Sequence, residues 1–125
     1  MKNKYKFILV LIVFGIICFF QGETIDRIKI DGISGEFLDV LFVTDTKYAN
    51  NYSHANFNKI KIGMSDTQVK EILGEPLIYW KPKKDVAHLQ VLVYSESPKD
   101  THYRIRQIYL DNSIVKKVKG YFYVD

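Results

Sequence analysis

Groups able to do covalent or metal chemistry are scarce in this chain of 125 residues. Its single cysteine, Cys18, lies in an apolar N-terminal stretch, which leaves the rest of the chain without a disulfide, a thiolate nucleophile or a cysteine metal site. His54, His88 and His102 stand 34 and 14 positions apart and match no ligand spacing. Ser65 is committed to capping a helix, and Ser34, Ser53, Ser95, Ser97 and Ser113 fall in turns with no motif nearby that supplies a base. Glu71 and Glu75 are four residues apart across a helix end, but nothing marks them as an acid and base pair. The inventory points away from an enzyme, with no cofactor and no metal. Recognition is the work left for this chain.

Composition and charge narrow what is recognised. Hydrophobic residues make up 47% and charged residues 26%, as in a folded globular protein. The net charge of +4 is unevenly placed: Lys2, Lys4 and Lys6 occupy the start, and every acidic residue comes at Glu23 or later. With those three lysines set aside, 15 basic residues face 14 acidic ones, too balanced for a nucleic-acid surface.

The first 22 residues read as a signal peptide or N-terminal membrane anchor. A short basic stretch, Met1 to Lys6, precedes 14 uncharged and mostly large apolar residues, Phe7 to Phe20. As a helix these cover roughly 21 Å of a hydrocarbon core roughly 30 Å thick, nearer to a secretory h-region than to a full span. The lysines stay on the cytoplasmic side, so the remainder is exported. Three fates fit: an uncleaved anchor, cleavage at a weak site, or lipidation at Cys18, although Ile17 is bulky where a lipobox wants a small residue.

Residues 23–50 form an extra strand or hairpin segment. Ile25, Ile28 and Ile30 lead into Asp31-Gly32, a turn signal, and Phe37 to Val43 is a β-rich apolar run that also fits two helical turns. Residues 51–125 form the main domain. Phe57 and Ile60 have helical spacing and end at Ile62-Gly63. Next, Ser65 and Gln68 make a capping box, Met64 and Val69 a hydrophobic staple, and Val69, Ile72 and Leu73 a buried stripe. Gly74 can end the helix in a left-handed conformation, and Pro76 prevents its resumption. Everything after Pro76 reads as sheet: Leu77 to Lys81, Val86 to Tyr94, then Tyr103 to Leu110 paired with Ile114 to Val124 across Asp111-Asn112-Ser113. In the last strand Ile114, Val118 and Phe122 share the apolar face, opposite Val115, Lys117, Lys119, Tyr121 and Tyr123. The expected fold is α+β, with two short helices on one face of a three- or four-stranded antiparallel sheet, preceded by an N-terminal hydrophobic helix.

The run from Phe57 to Pro76 resembles the signature of the SmpA/OmlA (BamE-like) family of small envelope lipoproteins. The family pattern is an apolar pair, Gly-Met-Ser/Thr, two or three polar residues, Val, then Leu-Gly-x-Pro. Ile60, Ile62, Gly63, Met64, Ser65, Val69, Leu73, Gly74 and Pro76 match it. The likeness covers roughly Tyr52 to Val118. It implies two helices on a three-stranded sheet, an extracytoplasmic location, no catalysis and a role in β-barrel or outer-membrane assembly. Three departures are the poor lipobox, the added segment from Thr24 to Thr46, and Gln90, Val91 and Leu92 where many members carry an aromatic.

The resemblance also implies a contact surface at the leucine after this proline. Leu77, Tyr79 and Trp80, with Tyr52, are the candidate partner-binding residues; the alternative is that they close the open end of a small core. Lys81, Lys83 and Lys84 are candidates for anionic headgroups, each worth about 1 kcal/mol near a membrane, or else form a solvated basic turn. Lys116, Lys117 and Lys119 read as protection of an edge strand. The expected function is an exported, membrane-tethered protein that binds an envelope protein partner. The alternative is a periplasmic inhibitor or immunity-type protein that blocks a toxin or hydrolase.

Overall fold

Helix caps and one tight hairpin organise the chain, which a computed structural model describes over residues 2–19, 22–81 and 88–125. Helix α1 spans Lys2–Phe19 and α2 spans Gly22–Leu41. The short strand β1 (Lys47–Tyr48) is followed by α3 (His54–Phe57) and α4 (Asp66–Leu73). Then come β2 (Ile78–Trp80), β3 (Leu89–Val93), β4 (Ser95–Glu96), β5 (Tyr103–Asp111) and β6 (Ile114–Tyr123). Strands β2, β3, β5 and β6 form one antiparallel sheet in that order, and β1 pairs antiparallel with β4. The architecture is α+β.

Helix α4 begins where its cap satisfies the free amides of the first turn. The Ser65 hydroxyl accepts from the Gln68 amide at 3.2 Å, and the Gln68 side chain accepts from the Ser65 amide at 2.9 Å. Val69 and Leu73 are fully buried, and Met64 and Ile72 pack beside them. At the far end Gly74 adopts φ 75°, and a Cβ there would lie 2.7 Å from that of Asn51. The loop entering α4 is sewn to the sheet: the Gly63 amide donates to Val115 O, the Val115 amide to Met64 O, and the Asp66 amide to Ser113 O, all at 2.8–2.9 Å.

The β5–β6 hairpin turns through Asn112 and Ser113, both at positive φ, which suits the right-handed twist of the strands it joins. Its register shifts between Tyr109 and Leu110, which pair with Lys117 and Val115 and leave Lys116 as an extra residue. This bulge corrects the face assignment of the last strand. Val115 is fully buried on the helix-covered side together with Val118 and Phe122, because one extra residue reverses the alternation between 115 and 118.

The stretch from Thr24 to Thr46 is also corrected. No hairpin forms there; residues 22–41 are helix α2, with Gly32 (φ 75°, ψ 172°) as an interior kink rather than the centre of a turn. The strand reading treats the isoleucines as the buried set, whereas this helix turns mainly charged residues inward. Asp31, Glu36 and Asp39 meet Arg104, and Asp31 also meets Arg106, both arginines being on β5. Close approach is possible because glycines meet across the contact. A Cβ on Gly120 of β6 would fall 2.3 Å from Ile30 Cγ2, and one on Gly35 of α2 would fall 3.6 Å from Phe122 Cβ. Helices α2, α3 and α4 all cover the sheet face that carries Leu92, Arg106, Ile108 and Leu110.

Candidate functional site

Strand alternation sorts the sheet into two unlike faces. On the helix-free face the register sets Trp80, Val91, Tyr109 and Lys117 in one row across all four strands. Ile78, Val93, Gln107 and Lys119 form the next row, followed by Ile105 with Tyr121 and then Tyr103 with Tyr123. Among the described residues no helix covers these rows, and Trp80, Val91, Tyr109, Gln107, Tyr103 and Tyr123 from them line a concave groove of about 760 Å³. Trp80 is 54% exposed at one end of the groove. Lys117 lies over the Tyr109 ring at 6.0 Å and Lys119 over Tyr121 at 5.3 Å, while Tyr103 and Tyr123 meet edge to face at 5.8 Å. The Lys119 ammonium donates to the Tyr121 hydroxyl oxygen, which raises its pKa above the ordinary value.

The other end of the groove is built by a loop that Asp45 holds in shape. Its carboxylate accepts from the Ser97 hydroxyl, from the Thr101 hydroxyl at 2.7 Å and from the Lys99 amide at 2.8 Å. These hydrogen bonds, led by that from Ser97, keep the Asp45 carboxyl below its ordinary range. The loop presents Asp100 at positive φ, with Glu96 and Asp125 nearby along the groove wall. The face thus combines exposed aromatic and aliphatic surface with lysines at one margin and carboxylates at the other. That combination suits binding, with apolar anchors surrounded by polar groups.

A second cluster lies beneath the helices. Arg106 has no exposed surface; its two terminal nitrogens donate to the Asp31 oxygens at 2.7 Å each and its Nε to the Tyr52 hydroxyl at 2.8 Å. Arg104 also bonds Asp31 and pairs with Glu36 at 3.0 Å and Asp39 at 3.1 Å. The Tyr52 hydroxyl, which accepts from Arg106, also shares a hydrogen bond of 3.0 Å with His54 Nδ1. Burial, with Arg106 nearby, drives the His54 pKa down to about 4, and burial pushes the Tyr52 phenol up. A guanidinium enclosed by a carboxylate is a clamp between helix and sheet, and its chemistry is structural.

The structure distributes the sequence candidates over three places. Tyr52 belongs to the buried clamp, stacked on Tyr48 at 4.7 Å. Leu77 is half-buried against the core. Tyr79 and Trp80, neighbours in sequence, point to opposite sheet faces: Tyr79 bonds Glu75 beside α4 with Lys70 over its ring at 4.9 Å, and only Trp80 joins the groove. Alternation along β2 separates the adjacent pair, so Tyr52, Leu77, Tyr79 and Trp80 do not share one surface. Lys81 is exposed, whereas Lys83 and Lys84 lie outside the described residues, as does the side chain of Cys18 within α1.

Sequence reasoning missed Asp31, Arg104 and Arg106, and did not gather the groove tyrosines into one surface. A signal was present in Tyr-Arg-Ile-Arg-Gln-Ile-Tyr-Leu. With period two, Arg104 and Arg106 share a side with Ile108 and Leu110, so a helix covering that side must bring carboxylates. No family model, curated protein or solved structure matches the chain.

Proposed function

We propose that this chain is a non-enzymatic cell-envelope protein, exported and held at a membrane by its N-terminal hydrophobic helix, that binds an envelope protein partner through the helix-free sheet face. The Gly63 to Pro76 motif, with its capped helix between two turns, supports placing it with SmpA/OmlA-type accessory factors of outer-membrane or β-barrel assembly. The observation that carries the reading is the open groove, with Trp80 and a row of tyrosines left uncovered on a sheet whose opposite face is filled. Large exposed aromatic patches of this kind mark interaction sites.

Co-purification of the chain with barrel-assembly subunits, and envelope sensitivity on deletion, test the assignment. Trp80→Ala should reduce that co-purification while leaving the fold intact. An unchanged yield from Trp80→Ala and Tyr109→Ala together would remove the groove as the binding surface. Export is tested separately by an alkaline phosphatase fusion after Asp125, which is active only outside the cytoplasm.

One feature favours a second reading, as an inhibitor of a toxin or hydrolase. The exposed Pro98–Asp100 turn, tied down by Asp45, is a rigid projection of the kind that can enter a cleft. A toxin gene next door, and loss of the deletion phenotype when that toxin is absent, would select this reading over assembly.

A further inference from the structure

Helix α2 presents its charge and its apolar surface the opposite way from a helix packed on a soluble core. Asp31, Glu36 and Asp39 turn inward to Arg104 and Arg106, while Ile33, Phe37, Val40 and Leu41 turn outward, each between 59 and 81% exposed. Their spacing of four, three and one positions is that of a single helical stripe. A surface helix in water has the reverse arrangement.

What covers the stripe is indicated by where α2 starts. Only two residues separate its first residue from the end of α1, whose Phe7 to Ile17 side chains include ten large apolar groups left uncovered by the rest of the chain. The link from Phe19 to Gly22 across them reaches at most about 11 Å. Wherever α1 enters lipid, α2 therefore begins within one helix diameter of the same boundary. Among the described residues no single helix is long and apolar enough to cross a membrane, although α1 and α2 taken as a bent pair meet that measure by length and composition. Crossing by α2 is opposed by its five carboxylates, three of which are held by the arginines of the sheet.

We propose that α2 is an interfacial helix that seats the domain on the bilayer, its stripe of Ile33, Phe37, Val40 and Leu41 immersed among the acyl chains beneath the headgroups. Such a helix sinks roughly 5–10 Å, the depth of these side chains. The polar side that an ordinary interfacial helix gives to water is here given to Arg104 and Arg106, so the domain rides on the helix. Because the groove lies on the opposite sheet face, this seating aims Trp80 and its tyrosines away from the lipid, towards a partner in the aqueous space.

The inference rests on α1 being a membrane tether, and the experiment separates the two. In the full chain with Cys18→Ser, single cysteines at Phe37→Cys, Val40→Cys, Val13→Cys and Asn112→Cys carry an environment-sensitive fluorophore in phosphatidylethanolamine–phosphatidylglycerol vesicles. Labels at 37 and 40 should shift to the blue and be quenched several-fold more by nitroxide lipids labelled near the headgroup than by aqueous iodide. The label at 112, on the hairpin tip, should show the reverse. If position 13 reports lipid while 37 and 40 quench with iodide like 112, the seating is wrong and the tether stands. If position 13 also reports water, the tether fails and the inference with it. Shielding of 37 and 40 from both quenchers would show that a second copy or α1 covers the stripe, which also overturns the proposal.

Discussion

Arg106 and Asp31 form a pair with no exposed side-chain surface, reinforced on both sides by Arg104 and Tyr52. Removing one member strands a buried charge, so Arg106→Met should destabilise the fold by about 3–5 kcal/mol in urea titrations. Asp31→Leu combined with Arg106→Met should cost clearly less than the two single changes added, because neither charge is then orphaned. His54 gives the cluster a pH dependence. Its folded pKa of about 4 lies below the ordinary value of 6.5, so between those limits the unfolded chain binds the extra proton. This contribution is intact above pH 6.5 and is lost as pH falls towards 4; thermal melts across that window should show a declining Tm, with a shallower slope in His54→Asn. The arginines were legible beforehand as a charged pair on the covered side, but not their partners. Arg-x-Arg on a strand shows two guanidiniums on one face but cannot name an acidic partner more than seventy positions away.

Helix α4 and helix α2 represent opposite cases among the elements. In α4 the cap, the buried stripe and the terminating glycine lie within ten consecutive residues and act on their own neighbours, so local chemistry determines the element. Ser65→Ala should lower stability by about 1 kcal/mol. Gly74→Val should cost more, since a β-branched side chain resists positive φ and meets Asn51. In α2 the apolar residues that suggest strands are mostly on the outside, and the helix is held by ion pairs to a distant strand. Gly120→Val should press on Ile30 and Phe57 and loosen α2 by about 1–3 kcal/mol. Hydrogen exchange should register this as lost amide protection in α2, with α4 unchanged. The bulge at Lys116 is similarly illegible, since nothing in Ile-Val-Lys-Lys-Val states which residue will be skipped.

For the whole molecule, the decisive property is the asymmetry of the sheet: three helices and a charged clamp on one face, and an aromatic groove on the other. Trp80→Ala, at an exposed position, should change stability by less than about 0.5 kcal/mol while sharply reducing partner capture, a separation that core residues such as Leu92 cannot show. By itself the sequence determined the α+β class, the capped helix, the hairpin and the uneven placement of charge, because each depends on residues adjacent along the chain. Only the tertiary structure decided that Tyr79 and Trp80 part company, that Val115 is core, and that residues 22–41 form a helix with its charges inward. Those outcomes depend on register and on pairs such as Asp31 with Arg106. A buried charge must find its counter-charge wherever the fold places it, and that constraint leaves no local periodicity to read.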